Sequence, residues 1–163
     1  MTQEAESLIT EEMRASIGRE GPPVRFEVDK TAVRMYARAV GHTDRVFYDE
    51  EYAKSKGHRS IVAPPAYVGT PIYNPQVMGS GGFTGPGTGP GGRPWRALNG
   101  GSEFEYTGVE ICAGDVLTAV SKTTSIRETK SSLGPMLISQ RESVYTNQKG
   151  EVVCRALGTS LQY

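Results

Sequence analysis

An α+β fold with an antiparallel sheet is predicted by two features of this 163-residue sequence. Its first half carries helical patterns, in which apolar residues recur every three to four positions. From residue 102 onward the pattern changes to strand-like segments that are joined by short turns. Because short turns join neighbouring strands in antiparallel order, helices and strands segregate along the chain, as they do in α+β proteins. The length is that of one domain.

The first half predicts one strand and three helical segments. Residues 4–17 repeat apolar side chains at helical spacing. Residues 24–28 alternate apolar and polar side chains, which is typical of a half-buried strand. Asp29 is a suitable N-cap for a second helix over residues 30–40, and a short helical turn is expected over residues 50–56.

The middle of the chain predicts a buried helix followed by a loop. Residues 63–73 are mostly apolar, and Pro64 suits the first turn of a helix because its missing N–H has no partner to lose. Residues 79–92 are rich in glycine, so we expect a loop there.

The second half predicts the sheet. Strands are expected over residues 102–107, 115–127, 136–146 and 151–162, with a turn over residues 132–135. A long antiparallel sheet wrapped around one apolar helix is the layout called the hotdog fold. We therefore predict a hotdog domain over residues 22–163, preceded by an N-terminal helical extension over residues 1–21.

Composition excludes several classes of function. Lys plus Arg and Asp plus Glu are equal at 18 each, so no global charge attracts nucleic acid or an acidic membrane. No segment has the roughly 20 apolar residues that a membrane span needs. The sequence has no zinc-type ligand spacing, no nucleotide-binding motif and no suggested Cys–His pair, and His58 is expected in a surface loop. We expect Cys112 and Cys154 to be buried free thiols and the protein to be cytoplasmic.

Three segments carry a resemblance to a known family: residues 26–44, 61–67 and 104–117. Together they resemble the N-terminal-type MaoC dehydratase domain, also called the FAS1-like dehydratase domain, over residues 22–162. The resemblance implies a hotdog fold and reversible addition of water across the α,β double bond of an enoyl thioester. It implies no cofactor, because CoA or acyl carrier protein is the carrier of the substrate.

The sequence departs from the motif of the catalytic members, G-D-x-N-P-x-H, whose Asp and His hold a water and move protons. Here His42 stands at the Asp position, Asp44 at the Asn position and Phe47 at the His position. Catalytic members also use a backbone N–H at a helix-start glycine, where this chain has Pro65. The resemblance therefore implies a non-catalytic half that shapes an acyl pocket. The expected partner is a MaoC-type hotdog subunit with an intact motif, in a dimer or a dimer of heterodimers.

Further candidate residues follow from the same reading. His42 and Asp44 are fallback catalytic residues, although capping or solvated roles are favoured because both follow a helix-ending glycine. The candidates for substrate contact are Tyr67 on the central helix, for which core packing is the favoured alternative, and Trp95, Arg96 and Asn99 after the glycine-rich loop, where they would line the entrance for the acyl tail. Two other hypotheses stay open: a self-sufficient homodimeric hydratase or acyl-CoA thioesterase, and an acyl-thioester binding module without chemistry.

Overall fold

The computed structural model describes residues 7–70, 95–132 and 134–163, and within these ranges five strands form one antiparallel sheet. Their order across the sheet is β1–β3–β4–β5–β2. The predicted strands are confirmed, and most are longer than the sequence pattern indicated. The turn expected over residues 132–135 is tighter than predicted, because Gly134 and Pro135 already pair with β3. The bounds are Val24–Glu27 for β1, Ala97–Tyr106 for β2, Val116–Ser131 for β3, Gly134–Thr146 for β4 and Val152–Gln162 for β5.

Three α-helices precede the long strands in the described chain: α1 Glu11–Ser16, α2 Lys30–Ala39 and α3 Glu50–Ser55. The predicted cap of α2 is confirmed, because Asp29 Oδ1 accepts a hydrogen bond from Ala32 N at 2.9 Å. Asp49 caps α3 in the same way. None of the helices in the described ranges has the length and apolar character needed to cross a bilayer.

The N-terminal extension runs along the edge of β3. Helix α1 is shorter than the predicted residues 4–17, of which residues 4–6 lie outside the described chain. The helix ends at Ser16 because the following backbone bonds to the sheet: Gly18 N donates to Thr123 O, and Gly21 N donates to Ser121 O, both at 2.8 Å. These bonds cover the part of β3 that the short strand β1 does not reach.

The core lies where the inner face of the sheet meets α2 and the loops that follow it. Leu117, Val33 and Ile61 have no exposed surface and belong to one apolar cluster. Cys112 and Cys154 are both buried and free, which confirms the prediction for the two thiols.

The prediction of a buried helix over residues 63–73 is wrong at the start of that range. Pro64 and Pro65 are not helical, Ala66 has a left-handed φ of 65°, and one 3₁₀ turn, Tyr67–Gly69, follows. The backbone before this turn bonds to another segment instead of forming a helix, since Ala63 N donates to Ile111 O at 2.8 Å. Residues 71–73 and the glycine-rich loop at 79–92 lie outside the described residues.

Gly69 makes the closest approach between this 3₁₀ turn and the sheet. A Cβ atom at Gly69 would lie 2.6 Å from the Phe104 ring of β2. We expect Gly69→Ala to lower the free energy of unfolding by about 1 kcal/mol, because the partly buried Phe104 ring must shift away from the added methyl group. Chemical denaturation would measure the loss.

Two further variants identify the clash as the cause of that loss. Gly21→Ala is the matched control, since its Cβ would have no contact closer than 3.4 Å. Phe104→Leu should reduce the cost of Gly69→Ala in a double-mutant cycle. If Gly69→Ala lowers the free energy of unfolding equally in the wild-type and Phe104→Leu backgrounds, the contact with Phe104 is not the cause of the loss.

Candidate functional site

The loop after α2 holds the residues that occupy the positions of the catalytic motif. The His42 and Phe47 rings contact each other, with centroids 5.1 Å apart. Tyr48 Oη donates a hydrogen bond to the His42 carbonyl oxygen at 2.5 Å. Asp44 Oδ1 accepts from Val46 N at 3.0 Å and caps the 3₁₀ turn Arg45–Phe47. The imidazole therefore packs on an apolar ring rather than on a carboxylate.

The fallback catalytic residues, His42 and Asp44, have surroundings that differ from each other. Asp44 is exposed and acts as a cap, as the sequence favoured, while His42 is half-buried. Within the described residues no side-chain hydrogen bond joins His42 to Asp44. A water-activating pair needs both groups within reach of one proton path, so a catalytic role for these residues stays a prediction without geometric support.

The turn at Pro64–Ala66 contains the position at which the resemblance led us to look for a backbone donor. Pro65 has no N–H, and the neighbouring Ala66 N–H donates to Tyr106 Oη at 2.7 Å. Tyr36 Oη contacts the Pro65 carbonyl oxygen at 3.4 Å. Partial burial raises the pKa of Tyr106 to about 12, so its phenol is neutral near pH 7. The first amide after the prolines is thus already bonded within the protein.

An ion pair between the exposed Arg59 and the buried Asp115 fixes the loop after α3 against the sheet. Arg59 makes a bidentate contact to Asp115, with both N–O distances at 2.8 Å. Asp115 also accepts from Cys112 N at 2.8 Å and from Gln148 Nε2 at 2.9 Å. Burial alone would raise the pKa of Asp115, but these donors lower it to about 2.

Next to this pair, His58, Glu110 and Cys112 form a second contact that the sequence did not suggest. His58 Nδ1 pairs with Glu110, and the His58 side chain is 30% exposed, so the histidine lies in a partly exposed loop with an ion pair that the sequence did not indicate. Cys112 Sγ donates to Glu110 Oε2 at 3.1 Å. Burial raises the pKa of the Cys112 thiol to about 11, and the thiol has no exposed surface. It therefore stays protonated and packs as a structural residue, since nucleophilic cysteines are thiolates.

The four predicted substrate-contact residues lie in different parts of the structure. Tyr67 is 5% exposed and packs in the core against Tyr36, with ring centroids 5.8 Å apart. Trp95 and Arg96 precede β2, where the Arg96 and Tyr163 backbones exchange hydrogen bonds. Asn99 lies within β2 and lines a cavity on the sheet. Their contact with substrate stays a prediction.

Comparison with known proteins identifies the family. The model of the FAS1-like dehydratase domain region matches residues 15–156. The chain belongs to the FAS1-like dehydratase family. The resemblance seen in the sequence is thereby confirmed over most of the chain.

Relatives of this FAS1-like dehydratase domain include proteins of two kinds. A UPF0336 protein from Streptomyces griseus is 32% identical over 150 residues, covering 86% of this chain and 88% of the relative. A probable enoyl-CoA hydratase alpha subunit from Thermomonospora curvata is 30% identical, covering 86% of this chain but 47% of the relative. The domain thus matches the first protein over most of its length and about half of the second.

Solved structures confirm the hotdog fold of this FAS1-like dehydratase domain. A chain of the HadBC (3R)-hydroxyacyl-ACP dehydratase complex from Mycobacterium tuberculosis matches with a TM-score of 0.69 and 25% identity, covering 91% of this chain and 97% of that one. A chain of the ChsH1–ChsH2 complex from the same organism matches with a TM-score of 0.58 and 18% identity, covering 88% and 95%.

Proposed function

We propose that this chain is one subunit of an enoyl-thioester hydratase, equivalently a 3-hydroxyacyl-thioester dehydratase. In this proposal the chain shapes the acyl pocket, and a MaoC-type partner with an intact motif supplies the catalytic Asp and His. The substrate is carried by CoA or by acyl carrier protein.

The observation that carries the proposal is the absence of free proton and amide donors at the two motif positions. Phe47 packs on His42, and a phenyl ring moves no protons. The Ala66 N–H is bonded to Tyr106, and Pro65 has no N–H to offer. Hydration of an enoyl thioester needs an acid–base pair and stabilisation of the developing oxyanion. A second subunit that provides both would account for a family fold without the family's reactive groups.

The relatives support a subunit role. One relative is itself named an alpha subunit of a probable enoyl-CoA hydratase. The matched chains of HadBC and of ChsH1–ChsH2 are each taken from a complex of two differently named components. These names belong to those proteins, and we extend them to this chain as part of the proposal.

The open edge of β2 is the surface that we assign to the partner. β2 pairs with β5 on one side, and no other described strand pairs with its free side. Leu98 and Tyr106 on this strand are 50% and 39% exposed. Long exposed edge strands are surfaces on which another chain adds a strand. Adding the partner should slow amide hydrogen exchange over residues 97–106 and leave exchange in α2 unchanged.

The proposal is tested by purifying the chain alone, then together with a MaoC-type protein encoded beside it. We expect the mixture to hydrate crotonyl-CoA and the lone chain to be inactive. Loss of absorbance from the enoyl thioester measures the reaction. Hydration by the lone chain at the rate of the mixture would overturn the division of labour.

The same assays separate the alternatives that the sequence left open. Release of free CoA by the lone chain, abolished by Asp44→Ala, would select the self-sufficient thioesterase. Binding of acyl-CoA without turnover, with or without every neighbouring MaoC-type protein, would select the binding module.

A further inference from the structure

A polar band crosses the inner face of the sheet beyond its apolar core. Successive residues of a strand alternate between faces, so Arg141 and Ser139 share the face of the buried Tyr145. Cross-strand pairing places Thr123 and Ser160 on the same face. With Asn99, these residues line a cavity of about 430 Å³. We call Asn99, Thr123, Ser139, Arg141 and Ser160 the polar band.

The band carries one positive charge and no negative charge. Neither Asp nor Glu is among the residues that line the cavity. Within the described ranges, Arg141 forms no ion pair, whereas Lys122 and Arg155 on the opposite face both contact Glu142. Residues 71–94 contain neither Asp nor Glu, so that segment has no carboxylate to give to Arg141.

The neighbour of Arg141 on β5 leaves room for a ligand. Gly158 pairs directly with Arg141. A Cβ atom at Gly158 would meet nothing closer than the Arg141 carbonyl oxygen at 4.0 Å. Arg141 is exposed and pairs across the strands with a residue that has no side chain, and Thr123, Ser139 and Ser160, which carry hydroxyl groups, line the same cavity.

We propose that the polar band binds an anionic oxygen group of the substrate thioester, with Arg141 as the charged donor. Guanidinium groups bind carboxylate and phosphate oxygens through paired hydrogen bonds, and hydroxyl and amide groups complete such sites. The proposal rests on the proposed function, because it places an acyl thioester on this face of the sheet. The anionic group is a carboxylate on the acyl chain or a phosphate of the carrier.

The proposed role of this chain in shaping the acyl pocket favours the acyl chain as the source. Arg141 lies four residues from Tyr145, which is roughly 13 Å along the strand. Tyr145 pairs with Cys154, and Cys154 pairs with Tyr106, whose hydroxyl contacts the Pro64–Ala66 turn. Arg141 therefore lies well away from that turn. In the proposed function this chain shapes the acyl pocket and the partner supplies the groups that act on the thioester carbonyl, so we assign the anionic group to the acyl chain.

The test is calorimetric titration of the purified chain with octanoyl-CoA, suberyl-CoA and free CoA. Suberyl-CoA has the same chain length as octanoyl-CoA and a terminal carboxylate. We expect suberyl-CoA to bind about tenfold more tightly than octanoyl-CoA, as for a charge-assisted hydrogen bond. Arg141→Gln should remove this preference, and Arg141→Lys should keep part of it.

A further variant and the remaining binding results test whether the cavity and Arg141 cause the preference for suberyl-CoA. Gly158→Val keeps the charge but fills the cavity, and it should also remove the preference. If all three ligands bind equally and all weaken in Arg141→Gln, the group recognised is a phosphate of CoA. Binding of every ligand that is unaffected by Arg141→Gln, or no binding of any, would overturn the proposal.

Failure of this proposal differs from failure of the proposed function. Hydration of crotonyl-CoA by the wild-type mixture tests the subunit role with a substrate that lacks a second anionic group on its acyl chain. Titration of the isolated chain tests the polar band without any turnover. Each result stands without the other.

Discussion

Replacing Arg59 with methionine is expected to lower the free energy of unfolding by about 2–3 kcal/mol at pH 7, because it removes the cation from a buried carboxylate. The Asp115 side chain is 2% exposed, whereas the Arg59 side chain is 52% exposed, so water on the arginine side keeps the loss below that of a fully buried pair. Cys112 N and Gln148 still donate to the carboxylate in the variant, but neither carries a charge. Chemical denaturation of wild type and variant measures the difference.

The effect of Arg59→Met should depend on pH in a defined direction. The pKa of Asp115 is about 2 in the folded chain, below the ordinary value of 3.8. A carboxyl group with a lowered folded pKa stabilises the protein above its unfolded pKa and loses that contribution as the pH falls through the folded value. The difference between wild type and Arg59→Met should therefore be full above pH 5 and shrink from about pH 4 toward pH 2.

Lys122→Met provides the matched control for the loss of a cation. Lys122 contacts Glu142 at 3.0 Å, and the two pairs differ in the burial of the carboxylate, since the Glu142 side chain is 28% exposed and the Asp115 side chain 2%. We expect a cost of about 1 kcal/mol or less, since surface pairs contribute little. Equal losses for Arg59→Met and Lys122→Met would contradict the role given to burial.

The second large effect concerns which subunit moves protons. In the complex with a MaoC-type partner, replacing the imidazole of the partner's motif with alanine should reduce kcat by about 10²–10⁴-fold, the usual contribution of general acid–base catalysis. His42→Ala in this chain should leave kcat unchanged, because His42 packs on Phe47 and has no side-chain hydrogen bond to Asp44. Steady-state hydration of crotonyl-CoA measures both.

Asp44→Ala separates a structural role from a catalytic one. Asp44 caps the 3₁₀ turn Arg45–Phe47, so its loss should cost about 1 kcal/mol of stability. The kcat of the complex should stay at the wild-type value below the unfolding temperature. A loss of kcat from His42→Ala or Asp44→Ala as large as that from the partner's variant would place the proton transfer in this chain.

Local patterns predicted the elements whose formation depends on nearby residues. The Asp29 cap, helix α2 and the four long strands follow from signals within a few positions of one another. The start of the buried helix was mispredicted for a long-range reason. The Ala66 N–H donates to the Tyr106 hydroxyl, forty residues away in sequence. The residues around Pro64 do not predict that hydrogen bond.

The contacts around the loop after α3 show the same limit. His58 and Glu110 are 52 positions apart, and Arg59 and Asp115 are 56 positions apart. A polar loop residue and a residue after a glycine turn have no pairing signal in a single sequence. The two residues of each pair become neighbours only because the folded chain brings the loop after α3 beside the segment that precedes β3.

The sequence by itself indicated the hotdog fold and the buried thiols through residue type and local spacing, and the family through the resemblance of three segments. Tertiary structure alone decided that the Ala66 N–H is bonded to Tyr106, that Asp115 is held by Arg59, and that no carboxylate among the described residues pairs with Arg141 on the inner face. These properties depend on which residues distant in sequence are close in space. Strand register and the reversals of the chain determine those contacts.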